Sequence, residues 1–211
     1  MTDNLINRLA VDVKPVASNA MRLLFLRHAG GGIAAGLVIM LLLLGVRHDL
    51  SLAMTTAAFW TKLAYATFLL LILVPAIFAL SRPIHARMNW LPLALLLVCL
   101  IGVALYQWGN ALPEQKDVLV WGRTALVCPW LIVLISSPML ASLLAAMRRL
   151  APANPALAGL AAGILSGGSG VLVYSLHCPE TGIPFVAIWY TLGIAITGLL
   201  GMIGGRLLLR W

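Results

Sequence analysis

The sequence predicts an all-α integral membrane protein, a bundle of six transmembrane helices with both termini in the cytoplasm. Three observations lead there. First, 62% of the 211 residues are hydrophobic and 9% are charged, against about 25% charged in an ordinary soluble domain. Second, the apolar residues fall into six runs, each near the ~20 residues that a spanning helix needs, without the period-2 alternation of a barrel strand. A chain inside a bilayer must satisfy its own backbone, so helices are the structure left. Third, the basic residues are unevenly distributed between the two ends of these runs, which fixes an orientation.

Taken in order, residues 1–28 read as a cytoplasmic N-terminal arm and residues 29–211 as the six-helix transmembrane domain. In the arm, Leu5, Ile6, Leu9, Ala10 and Val13 form one stripe of a helix. Thr2 or Asp3 can cap its start and Pro15 limits its end. A helix of about three turns is marginal alone in water, so it needs a surface to lie on. That surface is either the membrane, with Arg8 and Lys14 available for lipid headgroups, or a soluble partner onto which the segment folds.

The six runs cover 30–46, 58–80, 90–108, 122–146, 156–176 and 183–204. The first lacks a small-residue cleavage site and reads as an uncleaved span. Connections are short, so neighbours in sequence are expected to be neighbours in space. Gly159, Gly163, Gly167 and Gly170 share roughly one face of the fifth run, and Gly193, Gly198, Gly201 and Gly205 recur at the sixth. Close backbone approach at small residues holds membrane helices together, so these two are expected to pack tightly. Pro75, Pro92, Pro129 and Pro138 either start or kink their helices. Trp60, Trp90, Trp108, Trp121 and Trp211 stand near interfaces, as aromatic anchors do.

With the N-terminus inside, the cytoplasmic side holds Arg8, Lys14, Arg22, Arg27, Arg82, Arg87, Arg148, Arg149, Arg206 and Arg210, and the other side only Arg47, Lys62, Lys116 and Arg123. Ten cations against four predict both termini inside. The net charge of +8 is therefore a topological signal, and no direct nucleic-acid partner is expected. The spans carry almost no ionisable residue at depth, which argues against a small transporter.

One outer connection concentrates chemistry: Ser175-Leu176-His177-Cys178-Pro179-Glu180-Thr181 holds an imidazole, a thiol and a carboxylate within four residues. Cys178 is expected in a wet polar setting where a thiol can ionise or bind metal. Cys128, about one and a half turns past Arg123, is expected ~8 Å below the same interface. Cys99 sits mid-span and reads as an apolar filler. A disulfide between Cys128 and Cys178 requires Cα atoms within about 7 Å. Cys128, Cys178 and His177, near Glu180, would alternatively make a soft site for zinc, cadmium or mercury. No cofactor is obligatory on this reading. A membrane thiol-redox enzyme would need a second close-spaced cysteine, and a purely structural subunit would leave the His-Cys-Pro-Glu cluster idle.

These residues together resemble the NrsF family, "negative regulator of SigF", six-span inner-membrane anti-sigma factors of proteobacteria. The likeness covers essentially the whole chain. It lies in the Leu5-Ile6 and Leu9-Ala10 stripe with Pro15-Val16, Cys128-Pro129, Leu176-His177-Cys178-Pro179-Glu180, Trp189-Tyr190 with Leu192-Gly193, and the end from Arg206 to Trp211. The resemblance implies an arm that sequesters an extracytoplasmic-function sigma factor, and no enzymatic activity. It also implies sensor thiols, Cys128 and Cys178, that respond to heavy metal or oxidation. The sigma-contacting stripe would be Leu5, Ile6, Leu9 and Val13.

Overall fold

The computed structural model describes residues 19–82 and 89–209. The arm stripe at Leu5, Ile6, Leu9 and Val13 lies outside the described residues. Among the described residues there are helices and no strands: α1 (Ala20–Leu43), α2 (Leu50–Ala53), α3 (Ala57–Leu80), α4 (Leu91–Asn110), α5 (Pro113–Trp121), α6 (Cys128–Met147), α7 (Pro155–Tyr174) and α8 (Ile183–Leu208). Six of them, α1, α3, α4, α6, α7 and α8, are long and apolar enough to cross a membrane.

Four helix starts follow directly from sequence. Thr56 caps α3 by accepting from the Phe59 N–H, and Asn154 caps α7 by accepting from the Leu157 N–H. Pro92 and Pro129 occupy the first turns of α4 and α6, where a missing N–H costs nothing. Pro75 and Pro138 stand inside α3 and α6. The first helix begins at Ala20, ten residues before the apolar run. Met21, Leu23, Leu24 and Phe25 continue the pattern backwards, while Arg22 and Arg27 stay exposed, so the helix extends into the segment assigned to the arm. The fourth helix starts later than its run, because residues 122–127 form turns after Gly122 ends α5 with φ of +52°.

The bundle is built around α7, most of which is buried. Its tightest neighbour is α8, where glycines meet backbone to backbone. A Cβ at Gly159 would collide with the Gly201 carbonyl oxygen, and one at Gly163 with the Thr197 carbonyl oxygen. The expected pairing of the last two spans is therefore present. The expectation that sequence neighbours are space neighbours fails at α1. That helix lies chiefly on α6 and only touches α3, through an edge-on contact of Phe25 with Phe78 at 5.0 Å. Gly32 and Gly36 explain the choice, since they let α1 approach the backbone of Met139 and Ile135 in α6. Near the opposite end from the cysteines, His28 Nδ1 lies 2.9 Å from Ser142 Oγ across the same interface.

Candidate functional site

At one end of the bundle, residues 175–182 fold inward between α7 and α8. Ser175, Leu176, His177 and Cys178 continue from α7 in successive turns, with the Cys178 N–H donating to the Tyr174 carbonyl at 3.0 Å. This carries the Cys178 side chain under the loop instead of out of it. Cys178 is fully buried, which corrects the expectation of a wet thiol. Cys128 is fully buried as well and opens α6, so it sits at the start of that helix and not one and a half turns inside it. Both thiols are free, and they face a common environment of Tyr174, Tyr190 and Lys62. Cys99 lies apart from them, exposed on the outer face of α4.

His177 and Glu180 are close in sequence to Cys178, but their side chains brace the loop. His177 Nδ1 lies 3.0 Å from the Gly45 carbonyl, and its ring leans on Tyr174 with centroids 5.9 Å apart. The Glu180 carboxylate accepts from the Arg123 N–H at 2.7 Å and from Thr124 Oγ1 at 3.3 Å. A Cβ at Gly122 would land on that carboxylate, so the glycine and the acid share one space. Among the described residues no group of three His, Cys, Asp or Glu side chains could hold a metal ion. The two thiols share Tyr174 and Tyr190 as neighbours, and thiolates are soft donors.

Two cations whose sequence positions point only to topology belong to this site. Lys62, in the second turn of α3, is 2% exposed. Its ammonium donates to the Cys178 carbonyl at 3.4 Å and to the Glu180 carbonyl, and stands 5.8 Å from the centre of the Tyr190 ring. Arg47, after α1, donates from Nη1 to the Cys178 carbonyl at 3.2 Å, and its backbone N–H donates to the Leu176 carbonyl at 3.2 Å. The same guanidinium forms an ion pair with Asp49 at 2.7 Å. Hydrogen bonding to Arg47 pulls the exposed Asp49 carboxyl down to about 2, and the reciprocal bond raises Arg47. The clamp therefore stays charged at any physiological pH.

The far side of the loop is fastened to α4 and α5. The Ile183 N–H donates to Gln107 Oε1 at 2.7 Å, and Trp189 Nε1 donates to the Val120 carbonyl at 2.9 Å. Every connection at this end of the bundle thus meets the Cys178 loop or the first turns of α8. The sequence signal for Lys62 was available, because it is the one charge inside its apolar run. A lysine near a helix end, however, ordinarily snorkels to the interface.

A family model described as "Negative regulator of sigma F" matches residues 9–211. The whole chain aligns at 40% identity over 99% of a probable anti-sigma-F factor NrsF of Azospira oryzae. It aligns at 37% identity over 99% of an anti-sigma-F factor NrsF of Caulobacter vibrioides. No solved structure matches it. With a family model and two curated relatives all agreeing across the chain, this protein belongs to the NrsF family of negative regulators of sigma F.

Proposed function

We propose that this chain is an anti-sigma factor of the bacterial inner membrane, with no enzymatic activity. Its cytoplasmic arm holds an extracytoplasmic-function sigma factor through Leu5, Ile6, Leu9 and Val13. Heavy metal or oxidation at Cys128 and Cys178, on the outer side, releases that partner. The names of the two full-length relatives support the anti-sigma role.

The observation that carries the mechanism is the position of α1. It begins at Ala20, inside the segment assigned to the arm, and the segment after its end is bonded to the cysteine loop through Arg47 to Leu176 and Cys178, and through Gly45 to His177. A helix of 24 residues is about 36 Å long at the α-helical rise, enough to join the two sides of a bilayer. A change in the loop is therefore mechanically connected to the arm by one rigid element. To move such an equilibrium from 1:99 to 99:1, a stimulus must favour one state by about 5.5 kcal/mol. Structural zinc sites reach about 10 kcal/mol or more, so zinc, cadmium or mercury on the two thiolates need place only part of such a binding energy on one state.

One paired experiment tests this reading. Replacing Cys128 or Cys178 by serine is expected to abolish induction of sigma-dependent transcription by cadmium and by peroxide. Changing Leu5 and Leu9 together to aspartate is expected to derepress transcription without any stimulus and to stop the sigma factor co-purifying. Unchanged induction in both cysteine variants removes the thiols from the mechanism, and retained co-purification moves the binding surface elsewhere.

A further inference from the structure

The wall around the two sulfurs contains a group that the reduced protein does not use. The Tyr190 hydroxyl is fully buried and, among the described residues, meets no oxygen or nitrogen partner; the neighbour it has is the Cys178 thiol, a weak acceptor outside good hydrogen-bond geometry. A buried donor left without a good partner is costly, and phenylalanine would fill the same volume without that cost. Tyr190 closes the π-helical turn Val186–Tyr190 in α8, a type of irregularity that concentrates at functional sites. Lys62 is the second such group. Its buried ammonium is satisfied only by carbonyls and by the face of Tyr190. The nearest carboxylate, that of Glu180, is turned to Arg123 and Thr124. A buried cation on the Cys178 carbonyl and a buried O–H donor beside its thiol are the groups that stabilise an oxygen that accepts hydrogen bonds and carries negative charge.

We propose that Tyr190 and Lys62 form a receptor for one oxygen atom added to Cys178. This rests on the thiol-sensing reading above and gives its oxidative branch a chemistry. The oxidant is a hydroperoxide. The Cys178 sulfur attacks the terminal peroxide oxygen, an S–O bond forms, and the O–O bond breaks. The leaving oxygen takes a proton and departs as an alcohol, or as water from hydrogen peroxide. Sulfur loses two electrons and the peroxide gains them, leaving a sulfenic acid at Cys178. Its oxygen accepts from the Tyr190 hydroxyl and faces the Lys62 ammonium. The Cys128 sulfur then attacks the Cys178 sulfur, an S–S bond forms, the S–O bond breaks, and the oxygen leaves as water with the Cys128 proton. The disulfide draws the Cys178 loop toward the first turn of α6, against the contacts of Lys62 and Arg47 with the Cys178 carbonyl.

The test uses the full chain in detergent, reduced, with hydrogen peroxide as probe, dimedone to trap sulfenic acid, and mass spectrometry to locate it. The parent protein is expected to form the Cys128–Cys178 disulfide, and Cys128→Ser to accumulate a dimedone adduct on Cys178. Tyr190→Phe in either background is expected to melt at or above the parent temperature, because it deletes an unpaired hydroxyl, yet to oxidise about tenfold more slowly for want of one hydrogen bond to an anionic oxygen. Lys62→Met is expected to slow oxidation as well, with Lys62→Arg closer to the parent. Oxidation of Tyr190→Phe at the parent rate overturns the proposal, as does a first adduct on Cys128 or on exposed Cys99. A parallel titration with cadmium separates the two readings. If cadmium binds only when both sulfurs are present while peroxide leaves them reduced, sensing stands and the oxygen receptor falls. If neither reagent reaches the pair, both fall.

Discussion

Glu180 was expected beside the thiols as part of a sensing cluster, and it is more useful as a fastener. Its carboxylate takes the Arg123 N–H and Thr124 hydroxyl and so ties the lid over Cys178 to the turn that precedes Cys128. A hydrogen bond to a charged group contributes about 1.5–3 kcal/mol net, and the loop opens locally by whatever fraction of that is lost. Glu180→Ala is therefore expected to raise the rate at which a maleimide modifies Cys178 in the folded protein by about tenfold. Glu180→Gln, which keeps an acceptor for Arg123, is expected to fall between. Equal rates in all three proteins would show that the lid is held by its other bonds. At this scale the sequence revealed which residues gather, and not what each one does. An imidazole, a thiol and a carboxylate within four residues announce a site, but only the tertiary fold turns His177 toward Gly45, aims Glu180 at Arg123, and swings Lys62 inward from an interface position where lysines ordinarily stay wet.

The pairing of α7 with α8 was legible because small residues repeat at helical spacing on both, and small residues in a bilayer have little other reason to align. The contact of α1 with α6 was not, since Gly32 and Gly36 sit in a run of glycines and alanines with no matching stripe on α6. The short helix α5 falls between the third and fourth apolar runs because Glu114, Gln115, Lys116 and Asp117 make it polar. Pro113 at its first turn and Glu114 near its positive end were start signals that an apolar-run search does not register. The π-helical turn in α8 has no signature in its sequence. The glycine seam itself makes a sharp prediction. A Cβ at Gly201 would fall on the Gly159 carbonyl oxygen, whereas one at Gly102 in α4 meets nothing within 4 Å. Gly201→Val must push two backbones apart and is expected to cost about 1–3 kcal/mol or more, read as a lower melting temperature in detergent. Gly102→Val, facing outward on the same kind of helix, is expected to melt with the parent. If both variants melt alike, the seam contributes nothing that lipid contact does not.

For the molecule as a whole, the two ends differ in charge in a way that follows from the order of the spans. The described residues put Arg22, Arg27, Arg82, Arg148, Arg149 and Arg206 at the end away from the cysteines. At the cysteine end they put Arg47, Lys62, Lys116 and Arg123 with all of the described acids, Asp49, Glu114, Asp117 and Glu180. Cations near span ends resist translocation while acids contribute little, so the arginine-rich end is expected in the cytoplasm and the sulfur pair outside it. The sensing account needs this arrangement, because a stimulus outside the cell must reach Cys128 and Cys178 without crossing the bilayer. Two exposed positions report it: Gln115 in α5 and Arg149 after α6. In a Cys99→Ala background, Gln115→Cys is expected to react with a membrane-impermeant maleimide in intact spheroplasts, and Arg149→Cys only after the membrane is permeabilised. Cys128 and Cys178, fully buried, contribute little background. The opposite pattern would put the arm outside and the thiols in the reducing cytosol, where neither a sigma factor nor an external oxidant could meet its intended surface.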